Sequence, residues 1–174
     1  MTPLELEQRT AVVAEAESWL GTPYHHEARI KGHGVDCAQI LVGVFANVGL
    51  IEPVTLPHYP MDWNLHRDEE RYLDILGRYT REIEHPSLCD PRAGAARQPA
   101  GAGNVLPGDI AIWKFGRCFS HGAIVVAWPV VIHAYVGSIC VLEDAEKASW
   151  LAQIGEAEGE ARKPRPRKFF SYWR

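Results

Sequence analysis

Three residues of this chain have the chemistry of a nucleophile and its base. Cys37 stands between a loop rich in glycine and histidine and the beginning of an apolar helical pattern, and His121 and His133 follow in the C-terminal half. A thiol at a helix N-terminus lies close to unpaired N–H groups, which favour the thiolate and can stabilise an oxyanion. With a histidine as general base, this set predicts acyl transfer through a thioester.

Each of these residues also has an ordinary structural interpretation. A cysteine at a helix start is commonly a small buried residue, and a histidine that begins a strand, such as His121, commonly lies at the surface or caps an element. His133 could be a core histidine with its hydrogen bonds made. The twelve residues between the two histidines fit one hairpin, which would bring both imidazoles onto neighbouring strands, but spacing alone does not bring Cys37 to them.

Helices are predicted in the first half of the chain. The first begins at the N-cap Thr2 and ends at Gly21, and the second covers residues 37–48, with Cys37 in its first turn. A connector with three prolines spans residues 50–61. A third helix is expected over about residues 62–83, followed by a loop rich in proline, glycine and alanine that runs to residue 104.

Strands are predicted in the second half. Short β-branched or aromatic runs separated by turn residues are typical of an antiparallel sheet, and they read DIAIWKF, GAIVVAW, VVIHAYV and SICVLE. A short helix, AEKASWLAQI, and an edge strand, KFFSYWR, should follow. Helices first and strands later predict an α+β fold, in one domain over residues 1–174 with an inserted helix and loop at about 62–104.

Composition limits the partners and the location. The net charge of −4 and a pI near 6.1 argue against nucleic-acid binding. No apolar run is long enough for a membrane span, and the N-terminus lacks a signal peptide, so we expect synthesis in the cytoplasm. The four cysteines are expected to be free thiols. His25, His26, His33 and Cys37 lack the spacing of a metal site, and neither a metal nor another cofactor is expected.

Four sequence segments, in this order, resemble the NlpC/P60 cysteine peptidases. They are GTPYHHEARIKGHGVDCAQIL, LPGDIAIWKF, SHGAIVV and VIHAY, and the match spans about residues 12–142. The resemblance implies a papain-like core, with a nucleophile helix packed on an antiparallel sheet. The short chain and the insertion after that helix are most similar to the branch encoded by phages and prophages.

The resemblance also implies roles for single residues. Cys37 matches the nucleophile, His121 the general base, and His133 the polar residue that orients the base. Tyr24 matches an aromatic residue whose hydroxyl faces the catalytic site. Asp36 and Ser120 flank catalytic positions and are candidate substrate contacts, although Asp36 could equally cap the helix.

One motif departs from the family pattern. Ala38 and Gln39 stand where the family commonly has Ser-Gly after Asp-Cys. In some members the Asp and Ser side chains help to hold the free amine of a terminal L-Ala. Ala38 lacks the hydroxyl of that Ser, so this mode of recognising the substrate's free amine is not expected here.

The implied function is a thiol protease that hydrolyses the cell wall. It would cleave peptidoglycan stem peptides, at the bond from γ-D-glutamyl to a diamino acid, and would be associated with a phage tail or virion and its tail proteins. Two alternatives remain: an amidase or acyltransferase with the same fold and another substrate, or a scaffold protein of tail assembly. An apolar tunnel lined by residues 50–61 would favour a lipid substrate, whereas a polar cleft with a closed end would favour a stem peptide.

Overall fold

The computed structural model describes residues 1–66, 68–84, 105–147 and 165–173. Its helices are α1 (Pro3–Glu17), α2 (Gln39–Asn47), α3 (Trp63–His66) and α4 (Arg71–Leu76). Its strands are β1 (Arg29–Ile30), β2 (Gly34–Val35), β3 (Arg81–Ile83), β4 (Ile110–Phe115), β5 (Cys118–Ala127), β6 (Val130–Ala134), β7 (Cys140–Asp144) and β8 (Arg167–Ser171). The chain therefore has the predicted α+β order, with helices before the main strands.

Six strands form one antiparallel sheet in the order β3-β8-β4-β5-β6-β7. The strands β4 to β7 follow one another through hairpins, as their alternating apolar runs predict. In that part of the sheet Trp113 lies opposite His121, and His133 lies opposite Val141. The predicted antiparallel sheet is thus confirmed.

The two faces of the sheet bury different side chains. One face carries Ile110, Ile112, Ile124 and Ile132, which pack with α1 and α2 in the larger core cluster, and the other carries Ala111, Trp113, Ala123, Val125 and Val131. This alternation follows from the two-residue period of a strand. The N-terminal helices therefore cover one face only, which fixes the start of α2 near the middle strands.

A close approach between α1 and α2 depends on a glycine. A Cβ at Gly43 would lie 2.8 Å from the ring of Trp19, just beyond α1, so a larger residue at position 43 would force that ring or α2 to shift. The helix α1 is anchored by Arg9, whose buried guanidinium donates to Asp109 Oδ1 and to the carbonyl oxygen of Pro107, both at 2.8 Å. These contacts join α1 to the turn that opens β4.

Several predicted elements differ in the structure. The first helix ends at Glu17 rather than at Gly21. The helix expected over residues 62–83 is two short helices and the strand β3, because tertiary hydrogen bonds hold α3 and the residue before α4 against the hairpin of β4 and β5. Asn64 accepts from the N–H of Arg117, and Glu70 accepts from the N–H of Phe119, both at 2.8 Å. The second helix begins at Gln39 rather than at Cys37.

The C-terminal strand was predicted at the edge, and this was wrong. It pairs with β3 on one side and β4 on the other, because β3 supplies an outer strand that the sequence pattern did not indicate. The predicted loop at residues 85–104, and residues 148–154 of the predicted short helix, lie outside the described residues. Within the described part of the chain, no helix has the length and apolar character to cross a membrane.

Candidate active site

The start of α2 forms the floor of a cavity of about 250 Å³, here called the Cys37 cavity. Five of the six candidate site residues line it: Tyr24, Asp36, Cys37, Ser120 and His121. The sixth, His133, is completely buried behind His121. The structure therefore brings residues from the N-terminal loop, from the nucleophile segment and from β5 to one place, which the sequence order alone could not show.

The carboxylate of Asp36 is occupied by groups of the protein. Its Oδ1 accepts from the N–H groups of Ala38 and Gln39 at 3.0 and 2.8 Å, which are the first N–H groups at the start of α2. Its Oδ2 accepts from the N–H of Glu27 at 2.8 Å and from the hydroxyl of Tyr59 at 2.6 Å. This geometry is that of a helix cap, the second of the two interpretations given to Asp36.

The thiol of Cys37 lies against the backbone on both sides of His121. Its sulfur is 3.7 Å from the carbonyl oxygen of Ser120, and the N–H groups of Gly122, Ala38 and Cys37 itself interact favourably with its anionic form. Burial and the neighbouring Asp36 carboxylate nevertheless raise the pKa of this thiol to about 12. At neutral pH the resting residue is a thiol, so the thiolate expected from the helix N-terminus is not the resting state.

The two histidines and a glutamate form a chain of ring and carboxylate contacts. His121 Nε2 lies 3.1 Å from His133 Nδ1, and His133 Nε2 lies 3.1 Å from Glu143 Oε2. Glu143 is two residues beyond Val141, the residue paired with His133, and diagonal neighbours in an antiparallel sheet are within reach of long side chains. The sequence analysis missed Glu143. Its only signal is an acidic residue directly after the apolar run ICVL.

The ring of His121 sits among aromatic side chains. Phe115 and Tyr135 make edge contacts with it at centroid distances of 5.4 and 5.6 Å. Burial lowers the pKa of His121 well below its usual value, and the charges of His133 and Arg165 lower it further. Burial also lowers the pKa of His133, although Glu143 opposes this effect. Both rings are therefore neutral at neutral pH.

Two tyrosines, Tyr59 of the connector and Tyr72 of α4, complete the site, and the sequence analysis missed both. Tyr59 donates to Asp36, and the hydroxyl of Tyr72 donates to the carbonyl oxygen of Cys37 at 2.8 Å. The hydroxyl of Tyr24 is expected to remain neutral, because burial and the nearby Cys37 and Asp36 raise its pKa. Tyr59 in the segment PHYPMDW and Tyr72 in an amphipathic helix gave no sign in the sequence of a contact with residues 36–37.

The wall of the Cys37 cavity is largely apolar. The helix α2 contributes Leu41, Val42 and Phe45, and the connector contributes Ile51, Val54, Leu56 and several residues up to Met61. This is the apolar lining by residues 50–61 that the sequence analysis associated with a lipid substrate. Among the described residues, no group of three or more His, Cys, Asp and Glu side chains could hold a metal ion.

Three solved structures have a similar fold. The NlpC/p60 domain of the peptidoglycan hydrolase SagA matches with a TM-score of 0.50 and 16% identity over 79% of this chain and 90% of that one. The proteins NlpC2 and NlpC1 from Trichomonas vaginalis match with TM-scores of 0.57 and 0.55, each at 14% identity over 94% of this chain.

The fold is that of NlpC/P60 domains. This confirms the predicted fold class, with N-terminal helices packed on a six-stranded antiparallel sheet. The chain spans 45% and 43% of the two T. vaginalis chains, so it corresponds to less than half of each. No family model matches the sequence, and no curated protein matches it either. The NlpC/P60 likeness is therefore one of fold, and it leaves the branch encoded by phages as a prediction.

Proposed function

We propose that this protein is a cysteine hydrolase in which Cys37 is the nucleophile and His121 the general base. The observation that carries the proposal is the position of the Cys37 sulfur against the backbone of Ser120 and Gly122, on either side of a histidine that is linked to His133 and Glu143. A nucleophile, a base and a group that orients the base are the parts that covalent acyl transfer requires.

The contact chain determines which ring nitrogen acts as the base. The Glu143 carboxylate accepts the hydrogen of His133 Nε2, so neutral His133 has its lone pair on Nδ1. That lone pair accepts the hydrogen of His121 Nε2, and neutral His121 then has its own lone pair on Nδ1. Nδ1 of His121 is therefore the atom that takes the thiol proton.

The reaction begins from an uncharged pair. The Cys37 side chain turns from the Ser120 carbonyl to the His121 imidazole, and its proton moves to Nδ1 as sulfur attacks the substrate carbonyl. A C–S bond forms, the scissile bond breaks, and the proton passes to the leaving group. Water then hydrolyses the thioester, again through His121. The N–H groups near the Cys37 sulfur and the Tyr24 hydroxyl are candidate donors to the oxyanion.

We infer that the substrate is a bacterial peptidoglycan stem peptide, cut between γ-D-glutamyl and a diamino acid. The supporting observations are the motif order around Cys37, His121 and His133 and the likeness of the fold to a domain of a peptidoglycan hydrolase. Tyr24 and Ser120 line the cavity and are the candidate substrate contacts, and Asp36 acts on the substrate only through the helix start that it caps.

The test is mass spectrometry of purified muropeptides after incubation with the wild type, with Cys37→Ala and with Cys118→Ala. Cys118 is a buried thiol in β5 that does not line the cavity, so it is the matched control. We expect fragments that end in γ-D-Glu from the wild type and from Cys118→Ala only, with or without EDTA. Fragments from Cys37→Ala would exclude the nucleophile, and no fragments from any of the three would exclude the peptidoglycan substrate.

We further propose that the protein works on a phage tail or virion and contacts tail proteins there. The support is the insertion expected after the nucleophile helix, at about residues 62–104, which resembles that of the branch encoded by phages. Mass spectrometry of particles purified on a density gradient should find this chain at a fixed ratio to a tail protein, and its absence from such particles would contradict the proposal. If none of the cysteines reacts selectively with iodoacetamide, a scaffold role in tail assembly is favoured instead.

A further inference from the structure

The Cys37 cavity has an apolar wall that begins at the nucleophile and continues along α2. Leu41, Val42 and Phe45 line it from the helix, and Val54, Leu56 and Ile75 line it from the connector and α4. Phe45 is six residues beyond Gln39, the first residue of α2, which corresponds to about 9 Å at the rise of an α-helix. A group held in the cavity with its carbonyl at Cys37 would therefore contact apolar side chains over about that length.

Three polar side chains of this wall, those of Asp36, Tyr59 and Tyr72, are bound by other protein groups. The Asp36 carboxylate accepts four hydrogen bonds, and the hydroxyls of Tyr59 and Tyr72 donate to Asp36 and to the Cys37 carbonyl. The guanidinium of Arg71 is 2.7 Å from the Glu69 carboxylate. A charged substrate group at Asp36, Tyr59 or Tyr72 would have to displace these partners, whereas an alkyl chain would leave them in place.

We propose that the cavity binds a straight apolar acyl chain, and that the protein hydrolyses acyl esters and thioesters of medium chain length at Cys37. The inference rests on the proposed function for its nucleophile and base, and it adds a substrate class that a stem peptide does not represent. The acyl chain would lie along α2, with its carbonyl carbon at the Cys37 sulfur.

The reaction balances with water alone. The Cys37 thiol gives its proton to His121 and forms a C–S bond with the acyl carbon, while the bond from that carbon to the alcohol oxygen or thiol sulfur breaks. The leaving group takes the proton from His121. Water then attacks the thioester and gives a proton to His121, which returns it to the Cys37 sulfur. The products are a carboxylic acid and an alcohol or thiol.

The test uses p-nitrophenyl esters from acetate to decanoate with the wild-type protein. Burial of each added methylene should raise kcat/KM by up to about fourfold, so octanoate should exceed acetate by about 100-fold or more. Cys37→Ala should hydrolyse neither ester. A series in which kcat/KM does not rise with chain length would overturn the acyl site.

Two variants test where the acyl chain binds, and a third variant serves as the matched control. Leu56→Glu places a carboxylate in the cavity wall, and Val54→Trp fills part of the space. Each should lower the ratio of octanoate to acetate hydrolysis by about tenfold or more. Leu65→Glu adds the same charge at an exposed leucine that does not line the cavity and should keep the wild-type ratio. An equal ratio in Leu56→Glu, Val54→Trp and Leu65→Glu would contradict the proposed position.

The same preparations separate the two proposals. If muropeptides are cut but ester hydrolysis is independent of chain length, the acyl site is wrong and the peptidoglycan proposal stands. If the chain-length series rises as expected and muropeptides stay intact, the acyl site is supported and the peptidoglycan substrate is wrong. If Cys37→Ala retains both activities, the nucleophile is wrong and both proposals fall.

Discussion

Nε2 of His121 and Nδ1 of His133 lie 3.1 Å apart, with the two rings nearly perpendicular at 86°. The ring of His133 has a specific orientation, because its Nε2 is hydrogen-bonded to the Glu143 carboxylate. The carboxylate fixes the tautomer of His133, and His133 fixes the tautomer of His121. The partly exposed Glu143 carboxylate therefore influences the buried base His121 through His133, without any contact with the substrate.

The first prediction concerns Glu143 as a positioning residue. Glu143→Gln keeps an acceptor for His133 Nε2 but loses the charge, and we expect kcat to fall by about tenfold with KM little changed. Glu143→Leu also loses the acceptor, so the fall should be larger. The control is Glu146→Gln, at a side chain that is 55% exposed, which should behave as wild type.

The readout that separates a positioning role from a structural one is the pH profile of kcat/KM. Because the carboxylate favours the protonated form of the histidine pair, its loss should move the acidic limb of the profile to lower pH. Steady-state kinetics from pH 4.5 to 9 would measure this. An unchanged profile in Glu143→Gln, with only a lower melting temperature, would mean that Glu143 is structural.

The second prediction is that stability decreases in mild acid because two histidines are buried as neutral rings. Their pKa values are lowered in the folded state, so the unfolded chain binds more protons as pH falls below the ordinary value near 6.5. The stability from this difference is present above pH 6.5 and is lost below it, by up to about 1.4 kcal/mol per pH unit for each ring.

Urea unfolding between pH 7.5 and 5 would measure that slope. His133→Asn removes one of the two rings and should reduce the slope, whereas His66→Asn, at an exposed histidine, should not. A free energy of unfolding that is flat over this range would show that the rings accept protons in the folded state.

The third prediction follows from the position of Asp36 as the cap of α2. Asp36→Ala leaves three N–H groups and the Tyr59 hydroxyl without their acceptor, and we expect a loss of about 3 kcal/mol or more in the free energy of unfolding. Asp36→Asn keeps one acceptor oxygen and should lose less. Asp62→Ala, at an exposed carboxylate, should change stability by about 0.5 kcal/mol at most. If Asp36→Ala raised KM without lowering stability, Asp36 would instead be a substrate contact.

Local patterns predicted the elements that carry the nucleophile and the histidines. The apolar period predicted a helix over residues 37–48, two residues earlier than the start of α2 at Gln39, and the short β-branched runs placed His121 and His133 on neighbouring antiparallel strands. Both are local properties of the chain, with periods that a single segment reveals. The single-domain prediction over residues 1–174 and the roles of the six candidate residues stay predictions.

The parts that the sequence did not predict depend on tertiary contacts. Glu143 reaches His133 only because β6 and β7 pair in one register, and no pattern within SICVLE sets that register. The predicted helix is interrupted between α3 and α4, and on either side of the interruption Asn64 and Glu70 accept hydrogen bonds from the hairpin of β4 and β5. The pKa of Cys37 is raised because burial outweighs the helix N-terminus, and burial is a property of the whole fold.

The last prediction concerns Gly122, which lets three parts of the site meet. A Cβ at this position would overlap the hydroxyl of Tyr72 and would lie 3.0 Å from methyl groups of Ile112 and Leu41. Gly122→Ala should therefore push Tyr72 away from the carbonyl of Cys37 and displace the nucleophile.

We expect Gly122→Ala to lower kcat by about 100-fold, since a displacement of about 1 Å at reacting atoms has effects of that size. The double variant Gly122→Ala/Tyr72→Phe removes the overlapping hydroxyl and should recover part of the rate. The matched control is Gly32→Ala, in the turn between β1 and β2, with nothing within 4 Å of the added carbon. It is strained by its positive φ, but neither Gly32 nor its two chain neighbours line the Cys37 cavity, so it should lower stability and not kcat. Gly122→Ala with wild-type kcat would show that the helix start and β5 do not need this close approach.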